Sequence, residues 1–149
     1  MYRHFSSKSA LLTALFEELF NELEPQDATQ SWRTNLTQLM HVWWRIYRAN
    51  HEVAAQLTTS PKAGPGRSRL QEWVATELSR AGVTPSRLEH YQRVICAHVM
   101  GYGLLSAMQE SSAKVMEQTF SSSVELLLDA IVTASAAPQA SLECRHQSI

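Results

Sequence analysis

An all-α fold is what this sequence predicts, on three observations. Apolar residues recur at three- and four-residue spacing along every long segment. No segment alternates apolar and polar residues as a half-buried strand does. The residues that stop helices (Pro25, the run TTSPKAGPG at 58–66, Gly82, and the pair Thr84-Pro85) fall between the periodic segments rather than inside them.

Each element can be justified in turn. Ser7 is placed to cap a first helix, where Leu11, Leu12, Leu15, Phe16, Leu19, Phe20 and Leu23 follow at helical spacing until Pro25. A second helix begins near Ser31, with Trp32, Leu36, Leu39, Met40, Trp43, Ile46 and Tyr47 on one face and His41, Arg45 and Arg48 on the other. HEVAAQL, from His51, reads as a short helix closed by the Pro/Gly run. Leu70, Trp73, Val74, Leu78 and Ala81 mark a third long face, which Gly82 ends in the C′ position. Thr84 and Pro85 then serve as N-cap and first residue of a helix that reaches about Gln109. Ser111 suits a cap at the next break. The last helix carries Val115, Met116, Phe120, Val124, Leu127, Ile131 and Ala134, with Leu126 and Leu128 off that stripe. AAPQASLECRHQSI, which closes the chain, has no period and reads as a tail.

Composition bounds the function. The 149 residues suffice for one domain with a core, and a net charge of −1 gives no overall basic field for nucleic acid. Apolar runs stay below the roughly 18 residues that a membrane span needs. Glu17 and Glu18 interrupt the pattern a signal peptide would require. Cys96 and Cys144 have no ligand spacing, and a reduced, cytoplasmic setting is expected.

The last two helices are apolar on more than one face. A monomer core covers one stripe of each, so the second stripes call for another surface. A homodimer built as a four-helix bundle supplies it, with Leu104, Leu105, Phe120, Val124, Leu127 and Ile131 as the expected interface.

The opening stretch YRHFSSKSALLTALFEEL resembles the TetR family of bacterial transcription regulators, at the junction between the helix-turn-helix and the helix after it. Tyr2, His4, Phe5 and Lys8 match the family pattern in spacing, with Leu11 and Leu12 following. VMGYGLLSAM and FSSSVELLLDAIV are similar to that family's last two effector-domain helices. The resemblance implies that Tyr2, His4 and Lys8 descend from a clamp on DNA phosphates, a role three donors near a helix N-terminus can fill. It also implies that the reading helices are missing before Met1. Residues 1–8 are then a remnant of the junction, 9–136 a ligand-binding and dimerisation domain, and 137–149 a disordered tail. Three phosphate contacts fall short of the roughly 6–10 of a working binder, so operator DNA is expected as a partner only with those helices present.

The family further implies a small-molecule pocket among the middle helices. Trp43, Trp44 and Trp73 lie where it would form, and Tyr102 extends the aromatic set. Glu77 and His98 fall within apolar stripes, where a polar group must be paired or solvated. Each is open to two readings: ligand contact, or a core group bonded to a neighbour, for Glu77 an arginine such as Arg80 or Arg93. Aromatic walls with few charges suit an apolar or aromatic ligand.

No catalytic set emerges. His51-Glu52 would begin a zinc HExxH motif, but Ala55 stands where the second histidine must be. Glu143 and His146 lie in the tail without a partner copy. Ser111 and Lys114 lack the motifs that accompany a Ser–Lys pair, and KAGPGRS lacks the order of a phosphate loop. The expectation is the effector-binding and dimerisation portion of a TetR-like regulator, a repressor by class, with no enzyme activity, cofactor, metal or membrane partner. The rivals are a stand-alone dimeric module that antagonises intact relatives, and a helical carrier or enzyme for apolar compounds.

Overall fold

The computed structural model describes residues 7–21, 23, 27–52, 55, 65–109 and 111–137. Five helices are present among them: α1 (Lys8–Asn21), α2 (Trp32–Ala49), α3 (Pro65–Arg80), α4 (Pro85–Met108) and α5 (Ala113–Ala136). There is no strand among the described residues, as expected. Most of HEVAAQL, the Pro/Gly run before Pro65 and the residues after Ala137 lie outside them.

The ends of the helices follow local chemistry. Ser7 Oγ accepts from Ala10 N at 3.1 Å, and Ser31 Oγ accepts from Thr34 N at 3.1 Å. The cap of α5 is Ser112 rather than Ser111, since Ser112 Oγ is the one facing Val115 N. Gly82, at φ 89°, closes α3: its N–H bonds Ser79 O, and Val83 N–H bonds Leu78 O, both at 3.0 Å. This double bond pattern needs a residue with positive φ, which glycine adopts without strain.

Packing centres on α2, which touches α3, α4 and α5, while α1 lies on α3. Leu36, Leu39, Met40, Trp43, Trp44 and Tyr47 of α2 are all buried. They meet Leu70, Val74 and Leu78 of α3, Tyr91, Ile95 and Val99 of α4, and Met116, Phe120, Val124, Leu128 and Ile131 of α5. Among the described side chains of the expected first stripe, Phe20 is buried with Leu19 and, just beyond α1, Leu23 packed beside it, whereas Leu11 and Leu15 are exposed.

A buried polar knot fixes the turn before α2. Asn35 Nδ2 donates to Asp27 O at 2.9 Å and to Glu77 Oε1 at 3.2 Å. Arg80 completes it, donating to Glu77 Oε2 at 2.7 Å and to Gln30 O at 2.6 Å. Glu77 is therefore paired with Arg80, three residues along its own helix, while Arg93 pairs with Glu89. At the other end of the bundle, Gly103 lets α4 approach α2: a Cβ there would sit 2.7 Å from Tyr47 Cβ. Gly103→Ala should lower stability by about 1–3 kcal/mol through overpacking, measurable by urea unfolding; an unchanged midpoint would refute the close-approach role.

Candidate functional site

A cavity of about 670 Å³ lies between α2, α3 and α4. Trp43 comes from α2, Gln71 and Val74 from α3, and Glu89, Gln92, Arg93, Cys96, Ala97, Met100, Gly101 and Leu104 from α4. The α4 contribution is a stripe at three- and four-residue spacing, a face distinct from the core stripe of Tyr91, Ile95 and Val99. The helix is apolar on several sides because it serves the core with one and the cavity with another.

Charge stays at the margin. Glu89 and Arg93 pair with each other one turn apart, and both side chains are more than three-quarters exposed. Gln92 Nε2 donates to Gln71 O at 2.8 Å, tying α4 to α3 beside the cavity. The rest of the lining is apolar or sulfur-bearing, with the Cys96 thiol 3.2 Å from Met100 Sδ. Burial raises the Cys96 thiol above its ordinary range, against an opposing effect of Arg67. The thiol stays neutral near pH 7, so the cavity suits an uncharged ligand and offers it no ready nucleophile. Among the described residues no three of His, Cys, Asp and Glu are grouped to hold a metal.

Of the six residues expected at a ligand site, Trp43 lines this cavity and the other five do not. Trp44 turns away, stacked on Phe120 of α5 with ring centroids 4.7 Å apart. Its Nε1 donates to Ser106 Oγ at 3.2 Å. Trp73 is half-buried against the core. Glu77 is held in the polar knot below α2. His98 bonds Ser123 Oγ at 3.0 Å, and Tyr102 packs on Phe120 at 5.3 Å, both toward α5. Gln92, Cys96 and Met100 of α4 and Gln71 of α3 line the cavity without having been expected there. The i, i+4 register of Gln92, Cys96 and Met100 was the available signal.

The expected interface set is also redistributed. Phe120, Val124 and Ile131 are buried within the single chain, because their stripe is the one that meets α2. Leu104 faces the cavity and Leu127 is half-buried against the core. Leu105 alone of the six is exposed, at 57%, and Met108 and Leu126 are more so, at 82% and 74%. Val115, on the same side of α5 as Leu126, is exposed as well. From Val94 to Gln109 the chain has no Asp, Glu, Lys or Arg. On α5, Glu117, Glu125 and Asp129 turn toward α2, where Arg45 and Arg33 hold them. Lys8 is exposed at the start of α1, whereas Tyr2 and His4 lie outside the described residues.

No protein-family model matches the chain, and no curated protein does. Solved structures do. A variant of TetR from Acinetobacter baumannii in complex with minocycline matches over 90% of this chain and 77% of its own, with a TM-score of 0.71 and 20% identity. A TetR-type transcriptional regulator from Streptomyces coelicolor matches over 91% of this chain and 81% of its own, with a TM-score of 0.74 and 15% identity.

The chain has a TetR-like fold. At these identities the likeness lies in the arrangement of the helices, and the cavity wall is this chain's own. No described helix is long and apolar enough to cross a membrane. The raised thiol pKa makes a direct prediction: Cys96 should react with iodoacetamide at pH 7 more slowly than free cysteine does, followed by mass spectrometry of its peptide. Alkylation at the rate of free cysteine or faster would contradict a neutral, shielded thiol.

Proposed function

We propose that this chain is the effector-binding and dimerisation part of a TetR-like transcriptional regulator, and that its effector is an uncharged apolar or aromatic compound. The observation that carries the reading is the cavity between α2, α3 and α4, roomy enough for a drug-sized molecule and free of unpaired charge. The A. baumannii TetR variant, of the same fold, holds minocycline.

The path from cavity to DNA runs through α3. Its Gln71 and Val74 line the cavity, and its first turn meets α1, where the Gly66 N–H donates to the Glu17 carboxylate. A ligand that favours one spacing of α3 and α4 thereby biases α1, the helix that a DNA-reading unit would adjoin. This is a population shift, limited by the ligand's differential affinity for the two spacings. Tyr2, His4 and Lys8 belong at that junction, as contacts to DNA phosphates. The uncharged outer surface of α4 and α5, with Leu105, Met108, Val115 and Leu126, is the face for a second copy.

Nile red, a neutral apolar dye, serves as the probe for the cavity. Leu104→Trp should weaken its binding at least tenfold with the circular dichroism spectrum unchanged, and undiminished affinity would remove the cavity from the reading. The paired change Leu105→Glu and Leu126→Glu should convert a dimer to a monomer in sedimentation equilibrium. A wild-type chain that sediments as a monomer at micromolar concentration would sink the dimer.

A further inference from the structure

Phe120, fully buried near the middle of α5, is bordered by four rings from two other helices. From α2, Trp44 stacks on it at 4.7 Å and His41 meets it edge-on at 5.0 Å. From α4, Tyr102 lies at 5.3 Å and His98 stacks at 5.9 Å. Two of the four are titratable near neutrality, and neither is used by the cavity or the outer face.

Both rings also reach serines of α5. His41 Nε2 lies 3.3 Å from Ser121 Oγ, and His98 Nε2 lies 3.0 Å from Ser123 Oγ, with donor and acceptor set by the tautomer of each ring. The same two hydroxyls lie within reach of backbone carbonyls of α5, Glu117 O at 2.8 Å and Phe120 O at 2.6 Å. Each ring thus links its own helix to α5 by one hydrogen bond and by contact with Phe120.

We propose that His41 and His98 form an acid-sensitive clasp, which seats α5 on α2 and α4 while both rings are neutral and loosens it when they are protonated. Burial disfavours the cationic form of both rings and lowers their pKa below the ordinary 6.5. Arg45, on the same helix as His41, adds to the effect, and Glu117 of α5 opposes it. Glu117 is itself bound by Arg45, so it offers His41 only a shared carboxylate. Around His98 the neighbours are Tyr102, Ser123 and Phe120, and burial alone displaces it. The sign follows. Above 6.5 both rings are neutral folded or unfolded, and the clasp contributes fully. As pH falls below that value, the unfolded chain takes up protons first and the clasped state loses ground. Because the outer surface of α5 is part of the proposed dimer face, loosening α5 in acid also weakens self-association; that consequence rests on the proposed function, whereas the clasp itself does not.

The test uses the full chain. Histidine ring signals are followed by NMR from pH 8 to 5, and thermal unfolding is recorded at pH 7.5 and 5.0. His41→Gln and His98→Gln, singly and together, keep a side-chain N–H for the serine but cannot take a proton. Two rings should titrate below the ordinary histidine value, each assigned by its loss in one variant. The melting temperature of the wild type should drop on acidification by more than that of the double variant. An equal drop in both, or titration of both rings at or above the ordinary value, would overturn the clasp. If the double variant fails to fold, the wild-type titration decides. Dimer dissociation measured at the same two pH values separates the readings: a clasp that titrates without any change in association removes the link to dimerisation and leaves the clasp standing.

Discussion

Trp44 ties the bundle together. Its indole lies flat on Phe120 of α5, and its N–H is accepted by Ser106 of α4, whose own hydroxyl proton is committed to Tyr102 O. One side chain from α2 thereby sets the position of two other helices, by stacking with one and by a hydrogen bond to the other. An aromatic pair of this kind adds about 0.5–1.5 kcal/mol beyond its buried area. The geometric consequence is larger than that figure, because the indole has one orientation that serves both contacts. The approach of Gly103 to Tyr47, one turn further along α2, follows from the same seating.

With α2 so fixed, surface ion pairs can act as trim. Arg33 reaches Glu125 and Asp129, and Arg45 reaches Glu117, all on partly exposed side chains where water screens each pair and leaves it a small share of the stability. Their effect on the surface is plainer than their effect on stability. By drawing the carboxylates of α5 toward α2, they leave the other side of α5 without charge. The knot of Asn35, Glu77 and Arg80 differs in kind, since Asn35 and Glu77 are buried and each needs the others to stay satisfied.

Much of this was legible in the sequence. Helix starts at Ser7 and Ser31 and the stop at Gly82 are local events, written in the residues that make the bonds, whereas Thr84 starts α4 without a side-chain cap bond, ahead of Pro85 in the first turn. The stripe of α2 and that of α5 were legible for the same reason, as periodic patterns. Assigning faces to neighbours was harder. Trp43 and Trp44 are adjacent, about 100° apart on a helix, so one turns to the cavity and the other to α5. Leu104 and Leu105 divide in the same way between cavity and solvent. A hydropathy pattern shows that both members of each pair are apolar, but it does not say which surface each will meet. Phe120, Val124 and Ile131 were expected at an interface because two-sided helices suggest one; the structure uses that stripe for its own core.

The connection between α3 and α4 has a mechanical consequence. These helices form two walls of the cavity, yet only the four residues from Ala81 to Thr84 join them, and the Gly82 cap locks the turn. They are hinged at one end and cannot slide apart there, so any widening between them is angular, like the opening of a pair of compasses. From Gly82 back to Gly66 is about 24 Å of helix, and a tilt of about 5° moves the far end by about 2 Å. That far end is where Glu17 of α1 is bound. The displacement grows from the hinge outward, and it is greatest at the point of attachment to α1.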